Sequence, residues 1–136
     1  MPSDTPDVFE PRLSGVAVLI VDDHDDSRDF LAIMLELHGA RVAKAASVRE
    51  AVAAFTADRP AVVITDIQMP DGDGFQLLAR LVEVDDSVPV IAATAFDDSE
   101  IRARALSEGF RAFVAKPLDA SDFIAVVESV TIPNES

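Results

Sequence analysis

Three carboxylates, an ammonium and a hydroxyl stand at the carboxyl ends of apolar runs in this sequence. Asp22 and Asp23 follow VAVLIV (16–21), Asp66 follows AVVIT (61–65), Thr94 closes VPVIAAT (88–94) and Lys116 follows RAFVA (111–115). A carboxylate is costly to hide from water, and like charges a few ångströms apart raise one another's pKa. Three converging acids therefore call for a cation. Mg2+ suits the set, because it prefers oxygen ligands, takes one or two carboxylates and keeps its other positions for water or phosphate oxygens. Lys116 is a compact cation for phosphate oxygens and Thr94 a hydrogen-bond donor. An acid nucleophile, a metal, a lysine and a hydroxyl around one point describe phosphoryl transfer to a carboxylate. A blander reading makes DDHDDS (22–27) the acidic start of a helix, favoured by the helix dipole. That accounts for Asp25 or Asp26 but not for Asp22 and Asp23. A lone strand Thr is usually a β-branched filler and a lone Lys is usually solvated, so the signal lies in their coincidence at strand ends.

The elements that bring these residues together are legible as an alternation. Five apolar runs, VAVLIV, ARVAKA (40–45), AVVIT, VPVIAAT and RAFVA, are separated by helix-like stretches. Four of the runs read as buried strands; the second alternates apolar and polar residues, as an edge strand with one wet face does. The first helix, about 26–38, carries Phe30, Leu31, Met34, Leu35 and Leu37 at helical spacing and stops at Gly39, suited to a left-handed cap. SVRE (47–50) fits a capping box for the second helix, and DDSE (97–100) repeats that grammar before the fourth, which stops at Gly109. Helices near 74–84 and 119–130 complete five β-α units. The fold class is α/β, a (βα)5 chain forming a doubly wound five-stranded parallel sheet with helices on both faces. The flavodoxin-like order 2-1-3-4-5 makes strands one and three neighbours, with the ligand crevice at their carboxyl ends.

Length and charge limit what such a domain does. The 136 residues, 49% of them hydrophobic, suit one globular domain. Residues 1–13, with three prolines, read as a flexible N-terminal tail, 14–131 as the domain and 132–136 as a short C-terminal tail. A formal net charge of −14 disfavours direct nucleic-acid or anionic-membrane binding. The absence of cysteine excludes disulfides and thiolate chemistry. Neither a signal peptide nor a membrane-spanning run is evident, so a cytoplasmic protein is expected.

VDD (21–23), DIQMPDGDG (66–74), ATA (93–95) and FVAKP (113–117), in that order and on those strands, resemble the receiver domain of two-component response regulators. The resemblance spans about residues 14–131. It implies that Asp66 is the phosphoacceptor, taking a phosphoryl group from the phosphohistidine of a histidine kinase or histidine phosphotransfer protein. It implies Asp23 and Asp66 as side-chain Mg2+ ligands, with Asp22 acting largely through water and the backbone carbonyl of Gln68 completing the protein's share. Thr94 is similar to the switch hydroxyl, Lys116 to the lysine that pairs with the phosphoryl group, and Lys116-Pro117 to a cis peptide. Phe113 matches the switch aromatic that couples the site to the face of helix four, strand five and helix five. That face is the implied surface for a downstream protein target or a homodimer, with an apolar contact because Phe113 lacks a hydroxyl. The implied product is a phosphorylated signalling domain that catalyses only its own phosphorylation and dephosphorylation.

Gln68 and Phe96 occupy two positions thought to tune phosphate lifetime in the family. Phe96, bulky and unable to orient water, is expected to slow hydrolysis of the phosphoaspartate. His24 reads as a solvated neighbour of the acids, since a lone imidazole makes no zinc site, and His38 as a group at a helix C-terminus. The rival from another class is a haloacid-dehalogenase-like, Mg-dependent phosphohydrolase. It needs a second acid two residues after the nucleophile, where Gln68 stands, and a cap insertion that is missing here. A degenerate receiver would lack one of the acids or the lysine. A flavin carrier would want a hydroxyl- and Gly-rich loop where DDHDDS stands. The chain is expected to be either a stand-alone regulator or a receiver excised from a hybrid histidine kinase or a longer regulator.

Overall fold

A computed structural model of the chain describes residues 12–69, 72–95, 98–116 and 119–131. Phe96, Asp97, Pro117 and with it the Lys116-Pro117 peptide, and nearly all of both tails lie outside the described residues. The apolar runs form five parallel strands, β1 (Ala17–Val21), β2 (Arg41–Ala45), β3 (Val62–Thr65), β4 (Val90–Thr94) and β5 (Ala112–Ala115), ordered β2-β1-β3-β4-β5. The stretches between and after them form α1 (Asp25–Leu37), α2 (Val48–Ala57), α3 (Gly74–Val84), α4 (Ser99–Glu108) and α5 (Ala120–Thr131). This is the flavodoxin-like arrangement expected of strict β-α alternation.

Alternation along the strands builds two cores. Val18, Ile20, Val62, Ile64, Ile91 and Ala93 pack with Leu31 and Leu35 of α1 and with Phe123, Ile124 and Val127 of α5. Leu19, Val21, Val63 and Ala92 face the other way, onto Ala51 and Phe55 of α2, Leu77 and Leu81 of α3 and Ala105 of α4. A strand with both faces covered has no polar position, which is why β1, β3 and β4 read as near-continuous apolar runs. Among the described residues no helix is long and apolar enough to cross a membrane.

Several expectations are corrected. The fifth run was expected to be a buried strand, but all four residues of β5 are only half-buried, because β5 is the second edge of the sheet and pairs on one side alone. Leu13, expected in the tail, is fully buried; its N–H donates to His38 O at 2.8 Å, and Arg12 pairs with Glu128 of α5 at 2.6 Å. On α1, Leu31, Met34 and Leu35 are buried, whereas Phe30 and Leu37 face solvent. Ser47 accepts from Glu50 N–H as a cap does, but the Glu50 carboxylate reaches Ala46 N–H, one residue before the box position. The complete capping box belongs to α3, where Asp73 and Gln76 exchange both bonds. Asp98 caps α4. Gly39 and Gly109, at φ 93° and 122°, end α1 and α4 in the conformation glycine tolerates best.

Candidate functional site

Strand register brings the acids together. Val21 pairs with Thr65 across β1 and β3, so the next residues, Asp22 and Asp66, leave the sheet side by side; Asp66 N–H donates to Val21 O at 2.9 Å. On the other side Thr94 pairs with Ala115, and Lys116 N–H donates to Thr94 O at 2.9 Å. The adjoining carboxyl ends thus bring Asp22, Asp23, Asp66 and Lys116 together, with Thr94 buried at the end of β4.

Lys116 is the hub. Its Nζ donates to Asp22 Oδ2 at 2.6 Å, to Ser27 Oγ at 2.8 Å and to Asp66 Oδ2 at 3.3 Å. Asp22 is 1% exposed. It also accepts from Ser27 Oγ at 2.7 Å and from His24 N–H at 2.9 Å, while Arg28 donates to its backbone carbonyl at 2.9 Å. Asp66 accepts Gln68 N–H at 3.2 Å, and its backbone carbonyl accepts Thr65 Oγ1 at 2.8 Å. Ser27 and Arg28 carry interactions that residue types alone did not single out. Their signal is positional, since α1 begins at Asp25 and its first turn faces the strand ends.

Past Asp66 the chain makes a short antiparallel ladder, Gln68–Met69 with Gly72–Asp73, and enters α3 at Gly74. Gly74 N–H donates to Ile67 O at 2.6 Å, and a β-carbon at Gly74 would lie 2.7 Å from Asp66 O. The glycine is required by that close approach of backbone to backbone.

The donor set suits a hard cation. Ligand atoms of Asp22, Asp23, His24 and Asp66 all lie within 4.8 Å of one another. Asp23 Oδ1 is buried and, among the described residues, accepts no hydrogen bond. An orphaned carboxylate oxygen among other carboxylates is what a bound cation would satisfy. The cluster opens into a cleft of about 620 Å3 lined by Asp23, His24, Gln68, Met69, Phe75 and Arg104. Away from the cluster, Phe113 is half-buried and the Arg102 guanidinium lies 4.7 Å from its ring centroid. His38 is the C-cap of α1, with Nδ1 3.1 Å from Met34 O.

Burial alone would raise the Asp22 carboxyl above its usual 3.8, but hydrogen bonds from Lys116, His24 N–H and Ser27, with the Lys116 charge, hold it below that value. A depressed folded-state pKa adds stability that is present above the unfolded value and lost as pH falls through the folded one. In EDTA, the unfolding free energy of the parent is expected to fall more steeply than that of Asp22→Asn below about pH 4. Urea melts across that range check this; parallel curves would refute it.

Residues 18–128 match the family described as response regulator receiver domain. The chain is 37% identical over 118 residues to an uncharacterized 14.6 kDa protein of Leptolyngbya boryana, covering 85% of this chain and 90% of that one. It is 35% identical over 108 residues to the C4-dicarboxylate transport transcriptional regulatory protein DctD of Rhizobium meliloti, covering 79% of this chain but only 24% of DctD. Among solved structures, the non-phosphorylated HemR receiver domain from Leptospira biflexa aligns with a TM-score of 0.80 and 26% identity, over 89% of this chain and 98% of that one.

Proposed function

The chain belongs to the response regulator receiver domain family, a family of two-component signalling domains, and on that premise we propose that Asp66 accepts a phosphoryl group from a phosphohistidine of a histidine kinase or histidine phosphotransfer protein. The observation that carries the reading is the convergence of Asp66 Oδ2, at 3.3 Å from Lys116 Nζ, with the cation-ready carboxylates of Asp22 and Asp23. An Asp66 oxygen attacks phosphorus in line, the Oδ–P bond forms as the P–N bond breaks, and the donor imidazole leaves. Lys116 contributes by turning from Asp22 toward the transferring oxygens, so its charge stabilises the state in which negative charge is spread over them. Asp23 and Asp66 would hold Mg2+ with the Gln68 backbone carbonyl, Asp22 acting through water. When bound, Mg2+ supplies charge neutralisation at the phosphoryl oxygens. Main-chain bonds on both sides of the site pre-position the groups, and positioning is most of the catalysis required.

Thr94, at the end of β4, donates its hydroxyl to the new phosphoryl group, and Phe113 relays the change to the face of α4, β5 and α5. That face contacts a downstream protein target or a second copy of the chain in the cytoplasm. The domain turns over no external substrate beyond its own phosphorylation and dephosphorylation. The test is intact-mass analysis after treatment with acetyl phosphate and Mg2+. The parent is expected to gain one phosphoryl group and Asp66→Asn none; an adduct on both, or on neither, would overturn the assignment.

A further inference from the structure

We infer that His24 is a metal ligand of the carboxylate cluster and shifts the site's preference from Mg2+ toward first-row transition ions. The inference rests on the metal-binding reading of that cluster and adds a residue to it. His24 occupies the N-cap position of α1, with extended backbone at φ −93° and ψ 119°, yet its side chain makes no capping bond. The ring instead lies over the acids, with Nδ1 at 3.4 Å from Asp22 Oδ1 and 3.4 Å from Asp23 Oδ1. Among the described residues the first of these oxygens accepts the His24 backbone N–H, at 2.9 Å, and the second is the buried oxygen that accepts nothing.

Two neighbouring ligands on an ion with bonds of about 2.1 Å sit roughly 3.0 Å apart. The observed 3.4 Å between Nδ1 and Asp23 Oδ1 therefore needs to shrink by only a few tenths of an ångström for the two to share one ion, with Asp22 still acting through water. The His24 N–H bond to Asp22 anchors the backbone, while the ring, 71% exposed, is free to make that adjustment. An all-oxygen site treats Mg2+ and Mn2+ by size and geometry. A nitrogen ligand breaks that parity, because Mg2+ favours oxygen donors and imidazole suits later first-row ions such as Fe2+, Ni2+ and Zn2+ best, with Mn2+ the mildest case. Ordering an exposed ring offsets part of the gain, so the effect on affinity is moderate.

The test is pulsed electron paramagnetic resonance of Mn2+ bound to the full chain at pH 7.5, with Mg2+ affinity read by competition. Nitrogen coupling to Mn2+ is expected in the parent and absent in His24→Ala, with Mn2+ affinity falling by a larger factor than Mg2+ affinity in the variant. The chain has two histidines, and His38 lies at the far end of α1, so loss of the signal in this variant identifies its source. A parent that binds Mn2+ without nitrogen coupling, or a variant that loses affinity for both ions equally, overturns the role of His24 and leaves the metal site standing. A parent that binds neither ion, or an Asp23→Asn variant that binds both as tightly as the parent, overturns the metal reading and the inference with it.

Discussion

Gly74→Ala is expected to destabilise the domain by about 2 kcal/mol and to slow phosphorylation by acetyl phosphate at least about tenfold. The added methyl would meet Asp66 O at 2.7 Å and Ile67 Cα at 3.0 Å. Both are backbone atoms and neither can rotate away, so either α3 or the segment carrying Asp66 must move. Alanine is the better helix former by about 1 kcal/mol, which pushes in the opposite direction. The clash wins because the start of α3 is pinned against that same segment by the 2.6 Å bond from Gly74 N–H to Ile67 O and is fixed in shape by the Asp73 and Gln76 capping box. Urea denaturation and the rate of adduct formation read the two effects separately. A variant as stable and as fast as the parent would show that the close approach is dispensable.

Lys116→Met is expected to lower stability in EDTA by roughly 2–3 kcal/mol, with part of the loss recovered by millimolar Mg2+, and to slow phosphorylation by about a hundredfold. Removing one partner of a buried ion pair strands the other, and Asp22 has almost no access to water. Lys116 itself is 17% exposed, so the cost falls below that of a wholly enclosed pair. Without the ammonium, Asp22, Asp23 and Asp66 repel one another unmatched, which is the condition a divalent cation relieves. Urea melts with and without Mg2+ measure the thermodynamic half, and intact mass against time the kinetic half. Equal losses in EDTA and in Mg2+ would separate the lysine from the cation and contradict the shared-charge account.

How much of this was readable beforehand follows from what each feature depends on. Buried strands need apolar residues on both faces, so β1, β3 and β4 stood out as unbroken runs, and an acid just past such a run can only sit at the strand's end. Asp22, Asp66 and Lys116 were legible for that reason. The partner order around Lys116 was not. Its shortest bond goes to Asp22 rather than to Asp66, because Ser27 and the His24 N–H, set by the first turn of α1, gather at Asp22. Composition cannot report that rotation. Leu13 looked like tail because three prolines precede it within thirteen residues, yet one apolar side chain and one main-chain bond suffice to seat it. The Asp73 and Gln76 box carried the D-x-x-Q signal but sat beside two glycines that read as turn.

The Lys116 bond to Asp22 joins residues 94 positions apart, at the carboxyl ends of the sheet strands that come first and last along the chain. Contacts of such long sequence separation carry a loop-closure cost before they stabilise anything. A partly folded chain, with β1 to β4 formed and β5 undocked, would bring Asp22 and Asp66 together and still lack the cation between them. Its acids would repel, so the intermediate gains nothing from holding them close. The complete centre therefore exists only once β5, which carries Lys116 at its end, has joined the sheet.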